Sequence, residues 1–135
     1  MKPKKENKQK VAFFVDDDHG FTELIPLMVK HPRFEVKSHC TTNGYQAVDE
    51  IIKTKPDILF IDFNLPRANG GQLLPILKSI ETLSHMRIYF LTAHTEKELL
   101  PFVRDLEFHG ILNKMENLSV AIAKIFNELD RSEAA

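Results

Sequence analysis

The sequence predicts an α/β domain: a doubly wound parallel sheet of five strands interleaved with five helices. Three observations carry that reading. Short apolar runs alternate with longer stretches whose apolar residues recur at helical spacing, the signature of successive strand–helix units. One run, Ile58-Leu59-Phe60-Ile61, is apolar at every position, as a strand is when helices cover both faces of its sheet. Several runs also end abruptly on a polar residue, at the strand ends where open α/β sheets build ligand sites.

Val11-Ala12-Phe13-Phe14-Val15 is the first buried-type strand, and it ends on Asp16-Asp17-Asp18. Phe21, Leu24, Ile25 and Met28 follow at i, i+3, i+4, i+7 and predict a helix with that face inward. Pro26 removes a donor inside it and is expected to kink or delay the helix, which His31-Pro32 ends. Phe34, Val36, Ser38 and Cys40 alternate with Glu35, Lys37 and His39, predicting an edge strand. Asn43-Gly44 opens a helix with Ala47, Val48, Ile51 and Ile52 inward, stopping before Pro56. After the central strand, Gly70 to Ile80 reads as a helix burying Leu73, Leu74, Leu77 and Ile80. Arg87 to Thr92 is the fourth strand. Thr95-Glu96-Lys97-Glu98 has capping-box spacing, so a helix should run from there to about Glu107. Ile111-Leu112-Asn113-Lys114 is a short last strand, and Asn117 caps a final helix with Leu118, Ile122, Ile125 and Leu129 inward. Pro75 and Pro101, like Pro26, lie inside helical patterns. Phe13, Phe14, Phe60 and Phe90 are expected in the core.

At 135 residues with 43% hydrophobic and 27% charged content, the chain fits one globular domain. Residues 1–10 read as a basic, disordered lead-in, 11–131 as the domain, and 132–135 as a frayed tail. The net charge of −1 gives no bulk attraction to nucleic acid or to an acidic membrane. Cys40 is the only cysteine, which fits a reducing cytoplasm, and it reads as a packing residue. No apolar run is long enough to span a membrane or to form a signal-peptide core. The six histidines lack paired ligand spacing, which argues against a zinc site.

Four strand ends carry chemistry: Asp16-Asp17, Asp62, Thr92 and Lys114. Carboxylates gathered on one sheet edge repel one another unless a hard cation neutralises them, and Mg²⁺ with its oxygen ligands is suited to that. The Thr92 hydroxyl and the Lys114 ammonium suit phosphoryl oxygens. Together these are the parts that phosphoryl transfer needs. Asp18 reads as a helix cap rather than a third ligand.

In these motifs, FFVDD, DILFIDFNLPRANG, FLTAH and ILNK, the chain resembles a response-regulator receiver domain of two-component signalling, from Val11 to about Leu129. The resemblance implies the flavodoxin-like receiver topology and phosphorylation of Asp62 by a sensor histidine kinase or a phosphotransfer protein. It implies Mg²⁺ held by Asp17, Asp62 and the backbone carbonyl of Asn64, with Asp16 acting through water. Thr92 and Lys114 would hold phosphoryl oxygens. Ala93 would leave the phosphoryl group room, while Asn64 and His94 would tune its lifetime. The LPR-x-NG stretch is similar to small stand-alone receivers, which implies a cytoplasmic signalling module, monomeric or weakly dimeric, acting through an unknown downstream protein. Two positions depart from the family pattern. The switch position, usually aromatic, is Ile111, and the lysine is followed by Met115 rather than proline; Phe108 also replaces a commonly small residue. Ile111 and Met115 favour an alternative, a degenerate receiver acting as a constitutive interaction module, which the complete set of Asp16, Asp17, Asp62, Thr92 and Lys114 opposes. A haloacid-dehalogenase-type phosphatase needs threonine where Gly20 stands, and an acidic first loop would repel a flavin phosphate.

Overall fold

The computed structural model describes residues 9–134. Five strands, β1 (Lys10–Asp16), β2 (Phe34–Cys40), β3 (Ile58–Asp62), β4 (Arg87–Thr92) and β5 (Gly110–Asn113), alternate with five helices. These are α1 (His19–Met28), α2 (Gly44–Thr54), α3 (Gly70–Lys78), α4 (Glu96–Val103) and α5 (Leu118–Ala134). The strands form one parallel sheet in the order β2-β1-β3-β4-β5. That is the predicted doubly wound architecture, with β2 on an edge. Among the described residues no helix is long and apolar enough to cross a membrane.

Alternation along the inner strands splits the core in two. Phe13, Val15, Leu59, Ile61, Ile88 and Phe90 face α2, α3 and α4 through Ile51, Leu73, Leu77 and Leu99. Ala12, Phe14, Ile58, Phe60 and Leu91 face α1 and α5 through Ile25, Val29, Leu118, Ile122 and Phe126. Phe126 is fully buried. It stacks on Phe34 at 4.2 Å between ring centroids and meets Phe60 edge-on at 6.3 Å. Its place four residues after Ile122 puts it on the inner face, although the sequence reading left it out.

Several expected boundaries and faces move. The strand β1 starts at Lys10, inside the expected lead-in, because the Lys10 N–H donates to the Arg33 carbonyl at 2.9 Å; residues 1–8 lie outside the described part. The helix α5 runs to Ala134, past the expected end at Arg131, since Glu and Ala continue a helix readily. The helix α4 stops at Val103 rather than Glu107. Pro101 lies inside it, and beyond its end the Leu106 N–H closes a tight turn on the Val103 carbonyl at 2.9 Å. The helix α3 ends at Lys78, two residues short of Ile80, which is half-buried beyond it. In α1 the inward residues are Phe21, half-buried as expected, Thr22 and Ile25, with Val29 buried just past the helix end, while Leu24 is 51% and Met28 50% exposed. Thr22 can face inward because its hydroxyl donates to the His19 carbonyl at 3.1 Å. Pro26 stays within α1 without ending it. The carbonyl of Thr22, four residues back, lacks the N–H that a non-proline residue would offer, and the Ser38 hydroxyl of β2 donates to it instead.

Candidate functional site

The parallel register brings the carboxyl ends of β1, β3, β4 and β5 to one edge. Asp16 ends β1, Asp62 ends β3 and Thr92 ends β4, and all three are buried. Lys114 lies one residue past β5, held there by its N–H donating to the Thr92 carbonyl at 2.7 Å. Asp17, next on the chain, is exposed. Asp16, Asp17 and Asp62 each offer a carboxylate oxygen within 4.8 Å of the others. Asp18 is not part of this group: its carboxylate caps α1, accepting the Phe21 N–H at 3.1 Å.

The loop after β3 carries Asn64, whose N–H donates to Asp62 Oδ1 at 3.1 Å. This loop is seated on the start of α2. The Gly44 N–H donates to the Pro66 carbonyl at 2.8 Å, and a Cβ on Gly44 would lie 2.4 Å from the Ala68 carbonyl oxygen. Only glycine allows that approach. Asn69 then caps α3 with a full capping box through Gln72.

Burial and charge act together on the acids. Burial is the largest influence on Asp62; the Lys114 ammonium opposes it, and Asp16 and Asp17 reinforce it, so the Asp62 carboxyl is pushed up to about 6. Burial likewise raises Asp16 against the hydrogen bond from Lys114. The Lys114 ammonium lies 2.7 Å from Asp16 Oδ2 and 3.7 Å from Asp62 Oδ2. Burial disfavours its charge, but the surrounding carboxylates prevail and raise its pKa above the usual value. The ring of Phe21 lies beneath the ammonium, 5.3 Å to its centroid, a cation–π contact. The sequence reading assigned Phe21 to the core alone.

On the other side, the Thr92 Oγ1 accepts the His94 N–H at 3.0 Å. Ala93 and His94 are exposed, and the His94 imidazole lies 3.2 Å from Glu98. Hydrogen bonds from the Thr95 side chain and backbone contacts hold Glu98 below the usual carboxylate range. Asn64 and His94 share a cavity of about 310 Å³ with Phe63, Asn69, Leu99 and Phe102. Ile111 is half-buried against the core on the α4 side. The Met115 N–H donates to Asn113 Oδ1 at 2.8 Å, and Asn113 Nδ2 donates to the His94 carbonyl at 3.2 Å. Sequence reasoning gave Asn113 no role beyond the strand.

The three carboxylates fit a hard divalent cation. All donors are oxygen, one of the three is open to solvent, and Lys114 neutralises part of their charge.

The family model described as the response regulator receiver domain matches residues 12–126. The chain is 26% identical over 92 residues to sporulation initiation phosphotransferase F of Bacillus subtilis, covering 68% of this chain and 71% of that protein. Other curated relatives are longer, and the chain spans about half of their length, 56% and 45% for two of them. Among solved structures, chemotaxis response regulator CheY4 of Vibrio cholerae aligns with a TM-score of 0.74 at 18% identity, over 89% of this chain and 98% of that one. The phosphorylated cyanobacterial phytochrome response regulator RcpA aligns with a TM-score of 0.71 at 23% identity, over 94% and 97%. These structural likenesses speak for the fold. The match through residues 12–126, which takes in every strand end described above, goes further: the chain belongs to the response regulator receiver domain family.

Proposed function

We propose that this chain is a phosphorylation switch: Asp62 takes a phosphoryl group from the phosphohistidine of a sensor histidine kinase or a phosphotransfer protein. The observation that carries this reading is the position of the Lys114 ammonium between two buried carboxylates, beside a third that faces solvent. A carboxyl at about 6 is mostly ionised at neutral pH, so Asp62 can act as a nucleophile. One of its oxygens attacks phosphorus, the phosphorus–nitrogen bond breaks, and the departing imidazole keeps that electron pair. Asp17, Asp62 and the Asn64 carbonyl would hold Mg²⁺, with Asp16 acting through water. When bound, the ion supplies positive charge against the carboxylates and the phosphoryl oxygens. Lys114 then leaves Asp16 for a phosphoryl oxygen, and Thr92, whose oxygen already accepts one bond, turns its proton to another.

Asn64, Ala93 and His94 edge the site, so their size and polarity set how water reaches the acyl phosphate. The donor docks across a groove of about 240 Å³ beside Lys114. Phe21, Leu24 and Met28 line one side and Asn117 and Leu118 the other. Exposed apolar side chains at this place suit a helical partner presenting its histidine. The phosphorylated chain signals through altered contacts with a downstream protein.

Intact-mass spectrometry after treatment with acetyl phosphate and Mg²⁺ tests the reading. One added phosphoryl group is expected in the unaltered chain and none in Asp62→Asn. Uptake at a single residue in Asp62→Asn would overturn the assignment.

A further inference from the structure

We infer that Asn113 is a positioning residue that ties the loop after Thr92 to the turn that opens with Lys114, so that Thr92 and Lys114 meet a phosphoryl group as one unit. The inference rests on the phosphorylation reading above.

Asn113 is the last residue of β5 and pairs with Thr92 in the sheet. Its side chain spans both loops: Nδ2 donates to the His94 carbonyl at 3.2 Å, and Oδ1 accepts the Met115 N–H at 2.8 Å. The two partners fix the amide orientation, since a carbonyl calls for the NH₂ end and an N–H for the oxygen. Two further bonds close a circuit. The His94 N–H donates to Thr92 Oγ1 at 3.0 Å, and the Lys114 N–H donates to the Thr92 carbonyl at 2.7 Å. Displacing either loop alone breaks one of these four bonds, whereas moving them together keeps all four.

The circuit depends on two residue choices. A proline at position 115 would have no N–H to give Asn113. An aspartate at 113 would keep the acceptor for Met115 but turn a second acceptor toward the His94 carbonyl. Alanine would remove both links. The side-chain hydrogen bonds of Asn113 go to His94 and Met115, so it acts through Thr92 and Lys114.

The test uses amide NMR on the whole chain in two arms. In the first, without ligand, the Met115 amide should exchange with solvent roughly tenfold faster in Asn113→Ala, the protection an ordinary hydrogen bond gives, and stay slow in Asn113→Asp. In the second, beryllofluoride with Mg²⁺ should shift amides near Asp62, at Ala93–His94 and at Met115–Asn117 in the unaltered protein. Both variants should keep the first two groups and lose at least half of the shift at Met115–Asn117. Unchanged Met115 exchange in Asn113→Ala would overturn the tie, as would full transmission in both variants. No beryllofluoride response in the unaltered chain would overturn the phosphorylation reading and the tie with it.

Discussion

Lys114 lies 1 Å closer to Asp16 than to Asp62, at 2.7 Å against 3.7 Å. The ammonium therefore neutralises the acid that ends β1 and leaves Asp62 the less compensated of the two. Asp62 is the carboxyl pushed to about 6, and it is the one proposed to react. The same arrangement that readies Asp62 stores repulsion in the metal-free protein.

That repulsion has a pH signature. Asp62 titrates near 6 when folded and near the ordinary ~3.9 when unfolded. Between those values the folded state holds the extra proton, so stability falls as pH rises from about 4 to about 6. The loss from Asp62 alone is about 2–3 kcal/mol. Asp16, also raised, adds in the same direction. The raised pKa of Lys114 acts only in the alkaline range, where stability is lost as the ammonium deprotonates. In metal-free buffer Asp62→Asn should therefore gain stability over the unaltered chain as pH rises from 4 to 7 (roughly these limits follow from the two pKa values). A constant difference across that range, by urea denaturation, would count against the raised carboxyl.

Asp17 should behave as a metal ligand held at a cost. It is exposed, so solvent screens its repulsion with Asp16 and Asp62. Asp17→Asn is expected to stabilise the metal-free protein by about 1 kcal/mol and to abolish most of the Mg²⁺-induced rise in melting temperature at neutral pH. A lower melting temperature for the variant without metal would refute this.

The α1 groove yields a kinetic prediction. Leu24 and Met28 are half-exposed and line the groove beside Lys114. Leu24→Ser with Met28→Ser should slow phosphotransfer from a phosphorylated protein donor by about tenfold or more, since buried apolar contacts at an interface each carry of order 1 kcal/mol. Phosphorylation by acetyl phosphate, which needs no docking, should keep its rate. Equal slowing with both donors would remove the groove from the docking surface.

Much of this architecture was legible in the sequence because strand burial and carboxyl-end chemistry are both written locally. Ile58 to Ile61 is apolar throughout and proves buried on both faces. Phe34 to Cys40 alternates and lies on an edge. The face of α1 was legible only in part: Phe21 and Ile25 do pack inward. Periodicity pointed Leu24 and Met28 inward, but Thr22 can be buried once its hydroxyl bonds the His19 carbonyl, and apolar side chains are then left on the surface. The role of Asn113 and the cation–π contact of Phe21 escaped for a different reason. What each contributes lies in a partner that the fold, not the sequence spacing, brings near.

The Pro26 position predicts a coupled pair. The Thr22 carbonyl receives the Ser38 hydroxyl because Pro26 offers it no N–H. Ser38→Ala should cost about 1–2 kcal/mol, the cost of leaving that acceptor unmatched. In a Pro26→Ala background the new N–H can take over, and the same change should cost less than half as much. Denaturant unfolding of the four proteins gives the coupling. Additive effects would show that Ser38 stabilises the edge for another reason.

The last prediction concerns how far the switch reaches. Ile111 stands on β5 beside Phe90 across the sheet and is half-buried toward α4. A modification shifts a two-state equilibrium only through contacts that differ between the states. A β-branched side chain has few χ1 options and fills little of any space vacated beneath the Thr92 loop. The loop tie through Asn113 ends at Met115. Beyond it, α5 is anchored by Leu118, Ile122 and Phe126, all buried. Beryllofluoride with Mg²⁺ should thus give large amide shifts around Asp62, Ala93 and Lys114, and modest ones from Leu118 to Leu129. Replacing Ile111 with tyrosine should enlarge the response along that helix. Large shifts on α5 in the unaltered chain would mean that the signal travels without a ring at position 111, and that the half-buried isoleucine is not what limits it.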